Sequence, residues 1–282
     1  MIAVTGATGH LGQRVIHNLL NTHDAQKIVA IVRNPAKAQQ LAEKNVLVRQ
    51  ADYSDPAALA LALQGVEKLL LISSSEVGQR AAQHRNIIDA AKTAGVQLIA
   101  YTSLLRADTS PLGLHEEHVE TENYLAQSGV PFVLLRNGWY SENYLASVPA
   151  ALEHGVFIGS AGDGKIASAT REDYAAAAAT VLSLDNQAGK VYELAGDSAW
   201  TLSELADKIS ALTGKTVVYQ NLSEADFAAT LKQAGLPDAI ATMLADSDIG
   251  ASKGGLFDDS HELSRLIGRP TTSIDDSLKA IL

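Results

Sequence analysis

Three glycines spaced three apart, Gly6, Gly9 and Gly12, open the chain in VTGATGHLGQRV. An apolar run precedes them and an amphipathic run follows, so they turn a first strand into a first helix. A turn without Cβ atoms lets a pyrophosphate reach backbone N–H groups, and the helix N-terminus behind it favours an anion. The spacing departs from G-x-G-x-x-G, but the demands of tight turn, close approach and helix packing are similar. Gly6, Ala7, Thr8, Gly9, His10, Leu11 and Gly12 are therefore candidate cofactor contacts.

The next apolar run, KIVAIVR, ends in Arg33, 21 residues beyond Gly12. A site for NAD puts a carboxylate at about this distance to hold the ribose 2′-hydroxyl. A guanidinium instead grips a 2′-phosphate through paired N–H donors. Lys37, one helical turn on, adds charge, and the cofactor expected is NADPH. Asp52, ending a third strand, is either an acceptor for the adenine amino group or a turn residue. Ser73, Ser74 and Ser75 end a fourth strand, where ligands of such sheets bind. They are contacts to the nicotinamide-side ribose or ordinary loop residues.

The elements that must carry these residues alternate. MIAVTG, KIVAIVR, VLVRQAD, EKLLLIS, QLIAYTS and PFVLLRNG read as strands, separated by helical patterns such as QRAAQHRNIIDAAKTAG and HEEHVETENYLAQSG. Near-continuous apolar strands between helices predict an α/β fold, a doubly wound parallel sheet of Rossmann type. After about residue 150 the pattern loosens. A Gly-rich GSAGDGKIAS precedes a helix with Thr170 as its N-cap, KVYELAG and TVVYQNL read as strands, and TLSELADKISALTGK carries a capping box of Thr201 with Glu204. The division expected is a cofactor-binding domain over 1–150 and a smaller, partly interleaved substrate lobe over 151–282.

Composition narrows the chemistry. The net charge of −10 argues against a nucleic-acid surface. Zero cysteines exclude disulfides, thiolate catalysis and Cys-ligated metal centres, and fit a reducing cytoplasm. No run approaches the roughly 20 apolar residues of a membrane span. A small-molecule partner is expected, with a homodimer allowed.

With GATGHLG, RNPAK, QADYSD, YTS and LLRNGWYSENY together, the chain resembles the NmrA-like branch of the atypical short-chain dehydrogenase/reductases. The resemblance, strongest to the quinone-reducing members, implies a flavin-free, NADPH-using reduction of quinones. It adds Asn137, Gly138, Trp139, Tyr140, Ser141, Glu142 and Thr170 to the cofactor contacts. It also exposes a departure. Most short-chain dehydrogenases protonate the product through a Tyr-x-x-x-Lys pair, and here Leu114 and His118 fall on those positions when Glu122 takes the acidic place after them. Ser103 stands where the family's catalytic serine is expected, without its tyrosine.

Quinones tolerate that loss. Hydride addition to a ketone makes an alkoxide that needs a proton during the step. Addition to a quinone makes a phenolate-like anion with the acidity of tyrosine, pKa about 10. Positioning and desolvation then become the main catalytic tasks. His118 is a candidate proton donor, or else part of a solvated HEEH face. Five of the 14 aromatic residues, Phe132, Trp139, Tyr140, Tyr144 and Phe157, fall between 132 and 157. Tyr140 and Tyr144 suit either a quinone-stacking wall or the core. Two other functions share these features: a non-catalytic NADP(H) redox sensor with a protein partner, and a reductase or isomerase of sugar or phenylpropanoid carbonyls.

Overall fold

The computed structural model describes residues 1–76 and 78–282. Its strands are β1 (Ile2–Val4), β2 (Ile28–Val32), β3 (Leu47–Gln50), β4 (Lys68–Leu71), β5 (Leu98–Leu104), β6 (Phe132–Asn137), β7 (Val156–Gly159), β8 (Val191–Leu194) and β9 (Val218–Asn221). The helices are α1 (His10–Leu20), α2 (Gln39–Glu43), α3 (Pro56–Ala62), α4 (Arg80–Ala94), α5 (His115–Ser128), α6 (Ser141–Leu145), α7 (Val148–His154), α8 (Arg171–Ser183), α9 (Leu202–Thr213), α10 (Glu224–Gln233), α11 (Asp238–Ser252), α12 (Glu262–Ile267) and α13 (Ile274–Lys279). No helix among the described residues is long and apolar enough to cross a membrane.

Seven strands form one sheet in the order β3-β2-β1-β4-β5-β6-β8. Val4 pairs with Ala30 on one side and Leu70 on the other, both in parallel register. The order reverses at β1, and ligands of doubly wound sheets bind outside the strand ends at that point. The central strands β1, β2 and β5 are buried throughout, as continuous Val/Ile/Leu runs require. The sequence-based expectation of a doubly wound parallel sheet is met.

The chain separates into two compact units. One comprises Met1–Leu104, Glu117–Asn137 and Arg171–Tyr192; the other comprises Leu105–Glu116, Gly138–Thr170 and Glu193–Leu282. This differs from a single division at residue 150. KVYELAG supplies β8, the seventh strand, with Leu134 N–H bonding the Lys190 carbonyl at 3.0 Å. α8 packs on α1 within the first unit, and its Ala175, Ala177, Ala178 and Ala179 are buried.

In the second unit β7 and β9 make a two-stranded parallel sheet, Val156 opposite Val218. The short VFIG strand escapes periodicity because it is four residues between Gly155, in the left-handed region, and a loop. The capping box is present, Glu204 N–H bonding Thr201 Oγ1 at 3.2 Å and Thr201 N–H bonding Glu204 Oε2 at 2.8 Å. Asp248 of α11 is buried and accepts from Ser160 N–H at 2.8 Å. Burial pushes its carboxyl up to about 6, partly opposed by that hydrogen bond.

A carboxyl raised in the folded state stabilises fully below its ordinary range, and this is lost as pH rises through about 6. Asp248→Asn keeps an acceptor for Ser160 and stays neutral. Its melting temperature should exceed the wild type's at pH 8, by the equivalent of about 2–3 kcal/mol, and converge with it only below about pH 4, where the unfolded carboxyl is protonated as well. A gap equal at both pH values would contradict this origin.

Candidate functional site

The turn after β1 has the conformation its glycines allow. Gly6 sits at φ +58°, in the left-handed region. A Cβ on Gly12 would lie 2.4 Å from the Gly6 carbonyl oxygen and 2.8 Å from Ala7 Cα, both rigid backbone. One on Gly9 would lie 3.1 Å from the same oxygen. Thr5 fastens the turn to the neighbouring strand, its Oγ1 donating to Leu70 O at 3.1 Å and accepting from Ile72 N–H at 3.0 Å. Gly9 is the N-cap of α1 with no side chain capping it. The N–H groups of residues 10–12, without intrahelical acceptors, lie at the positive end of the helix dipole, which favours an anion.

A cavity of about 410 Å³ opens in front of this turn. Gly6, Thr8, Gly9, His10, Leu11 and Gly12 line it, with Arg33, Lys37, Asp52 and the three serines Ser73, Ser74 and Ser75. Thus one cavity of the first unit collects nearly every contact read from the first four strands; Ala7 is buried beneath it. Glu76, Gln83 and Arg171 also line it, and sequence reasoning missed all three. Glu76 follows the serine triplet directly, and Arg171 follows Thr170, so adjacency was their only signal.

Arg33 Nη1 lies 2.6 Å from Glu76 Oε1. Asp52 accepts from Ser54 N–H at 2.8 Å, so it serves its own turn while lining the cavity. Tyr53 beside it donates to Ile72 O at 3.0 Å, and burial raises its hydroxyl pKa far enough to keep it neutral.

The serine shelf is held from below. Ser73 N–H donates to Thr102 Oγ1 at 2.8 Å, Ser74 N–H to His84 Nε2 at 2.9 Å, and Arg80 Nε to Ser74 O at 2.8 Å. Because His84 Nε2 accepts, Nδ1 carries the proton, and it bonds Thr121 Oγ1 at 2.9 Å. Burial, aided by the Arg80 charge, pushes His84 down to about 3. Arg80 also reaches Glu117 Oε2 at 3.4 Å, and Glu117 Oε1 accepts from Gly78 N–H at 2.9 Å.

His118 belongs to this layer rather than to a solvated face. It is buried, with Nδ1 2.7 Å from Tyr101 Oη and Nε2 3.4 Å from Arg80 Nη1. Burial first, then the Arg80 charge, hold it neutral, well below the ordinary histidine range. Ser103 is also interior, donating to Glu122 Oε1 at 2.5 Å. Arg136 meets the same carboxylate with Nε at 3.0 Å and Nη2 at 2.7 Å. Neither Ser103 nor His118 lines the cavity.

The remaining contacts lie elsewhere. Asn137 ends β6 in the first unit, buried, its Oδ1 without a hydrogen-bond partner. Gly138, Trp139, Tyr140, Ser141, Glu142 and Thr170 belong to the second unit. There Tyr140 bridges to Ala169, and Ser141 N–H bonds Ala169 O at 2.9 Å, which brings the 138–142 stretch beside Thr170. Of the aromatic cluster, Tyr144 packs edge-on against Trp200 at 4.9 Å and is core, as is Phe157. Trp139 and Tyr140 are half-buried.

Known proteins match this chain over its whole length. Quinone oxidoreductase 2 of Escherichia coli is 73% identical over 278 residues, covering 99% of this chain and 97% of that one. The crystal structure of the E. coli NADPH-dependent quinone oxidoreductase QOR2 complexed with NADPH superimposes with a TM-score of 0.98, at 72% identity over 100% of this chain and 99% of that one. Triphenylmethane reductase of Citrobacter sp. complexed with NADP(H) gives 0.96 at 39% identity, covering both chains completely. The model of the NmrA-like family matches residues 1–274. With its glycine turn, its strand-end arginine and all but the last eight residues inside that match, the chain belongs to the NmrA-like family.

Proposed function

We propose that this chain reduces quinones to hydroquinones with NADPH, by direct hydride transfer and without flavin. The observation that carries the reading is Arg33, with Lys37, on the rim of a cavity whose floor is bare glycine backbone. The residues fit the cofactor. The α1 N-terminus and the N–H groups of residues 10–12 suit its pyrophosphate, Arg33 and Lys37 its 2′-phosphate, and Ser73–Ser75 a ribose. Asn137 of the first unit, and Gly138 through Glu142 and Thr170 of the second, remain the further contacts that the family resemblance implies. The E. coli relative, named a quinone oxidoreductase and solved with NADPH, supports the assignment.

When bound, the nicotinamide supplies a hydride, two electrons and a proton in one step. The protein's task is to hold the quinone against it and exclude water. No acid need act, because the phenolate-like product takes its second proton from water. Ser103, committed to Glu122, and His118, neutral and enclosed, leave the reaction without a family-type donor. Tyr140, half-buried in the second unit, is the residue we assign to the quinone. We place the reaction in the cytoplasm, a reading supported by the absence of cysteine.

NADPH oxidation with a short benzoquinone and naphthoquinone panel should proceed without added flavin. Tight NADPH binding without any turnover would overturn the enzyme reading in favour of a sensor. Arg33→Glu should raise KM for NADPH about a hundredfold while leaving that for NADH within about threefold. Ser103→Ala should keep kcat within about twofold and leave its pH profile unchanged. It should instead lower the melting temperature, by the roughly 1–2 kcal/mol of a lost buried hydrogen bond. A hundredfold loss of kcat would restore Ser103 to the chemistry.

A further inference from the structure

We propose that Glu76 sets the cofactor preference by occupying Arg33 as an internal stand-in for the 2′-phosphate, so that NADPH must exchange with it. The inference rests on reading the cavity as the NADPH site. Arg33 and Glu76 come from different strand ends, 43 residues apart, yet Nη1 and Oε1 stand at 2.6 Å inside one cavity. The carboxylate is anchored on its other side, where Oε2 accepts from Gln83 Nε2 at 2.8 Å. Its backbone is anchored too, Glu76 N–H donating to Ser74 Oγ at 3.2 Å.

The chemistry of the partners makes this a competition. A guanidinium binds carboxylate and phosphate with the same N–H donors, so Nη1 cannot serve Glu76 and a 2′-phosphate in full. The phosphate carries the larger charge and also meets Lys37, which lines the same cavity. It therefore displaces the carboxylate, which keeps its bond to Gln83. NADH brings a 2′-hydroxyl, which leaves the Arg33–Glu76 pair intact. The pair thus taxes NADPH and spares NADH, and the preference between them is moderated rather than maximal. Gln83 acts as a positioning residue, because it fixes the carboxylate within reach of Arg33.

The test is direct binding, by calorimetry or dinucleotide fluorescence, of NADPH and NADH to wild type, Glu76→Gln, Arg33→Ala and the double variant. Melting temperatures verify that each is folded. Glu76→Gln keeps a polar group for Gln83 and removes the competing charge. Its Kd for NADPH should fall about three- to tenfold, the worth of an exposed charge pair plus the relieved repulsion. The Kd for NADH should change less than about twofold. In the Arg33→Ala background the same substitution should gain distinctly less. An unchanged or weaker NADPH affinity in Glu76→Gln overturns the proposal. So does an equal gain for both dinucleotides, which would reflect overall charge alone. If wild type binds NADPH no more tightly than NADH, it is the reading of the cavity that falls.

Discussion

The cavity exists because α1 begins in backbone contact with the turn that precedes it. Gly12 has no space for even a methyl group against Gly6 and Ala7, so the helix start is pressed onto the strand end. The helix is held there from behind. Val15, Ile16 and Leu19 are buried completely, each contributing roughly 1.5–3 kcal/mol. α8 closes on its other side, tied by Asn18 Nδ2 donating to Glu172 Oε1 at 2.8 Å. The first-turn N–H groups are left open because the N-cap, Gly9, has no side chain to cap them.

The opposite rim is built on a different principle. Polar groups under the serine shelf are removed from water and must find partners inside the protein. Ser74 gives its N–H to His84 and its carbonyl to Arg80. Both histidines of the layer are held neutral by burial and by Arg80, so their tautomers are set by their neighbours. His84 is pushed down to about 3 and His118 well below the ordinary histidine range, so both favour the neutral form. Their enclosure costs stability in acid, since an unfolded histidine takes up a proton below about pH 6.5 and the folded ones resist it.

Most of the first unit was legible because strand and helix periods differ so plainly there. Arg33 could be placed by counting from Gly12, since a βαβ unit has a fixed length. The serines followed from the rule that ligands bind beyond strand ends. What escaped depended on partners distant in sequence. HEEH reads as a polar face, but whether His118 points outward is decided by Tyr101 and Arg80, 17 and 38 residues away. Tyr144 could not be separated from Tyr140 by type; Trp200 makes the difference by offering an edge-on contact. β8 reads correctly as a strand, yet only pairing shows that it extends the first sheet.

The fate of Ser103 ties the fold to the chemistry. Its position is the one from which a short-chain dehydrogenase would assist proton transfer, but here Glu122 and Arg136 close over it. Breaking such a buried pair by removing one partner leaves an uncompensated charge, at a cost of about 3–5 kcal/mol. The triad is therefore hard to reopen by single steps. A site so built cannot readily protonate an alkoxide. It can serve an acceptor whose reduced form is stable as an anion, and a quinone is such an acceptor.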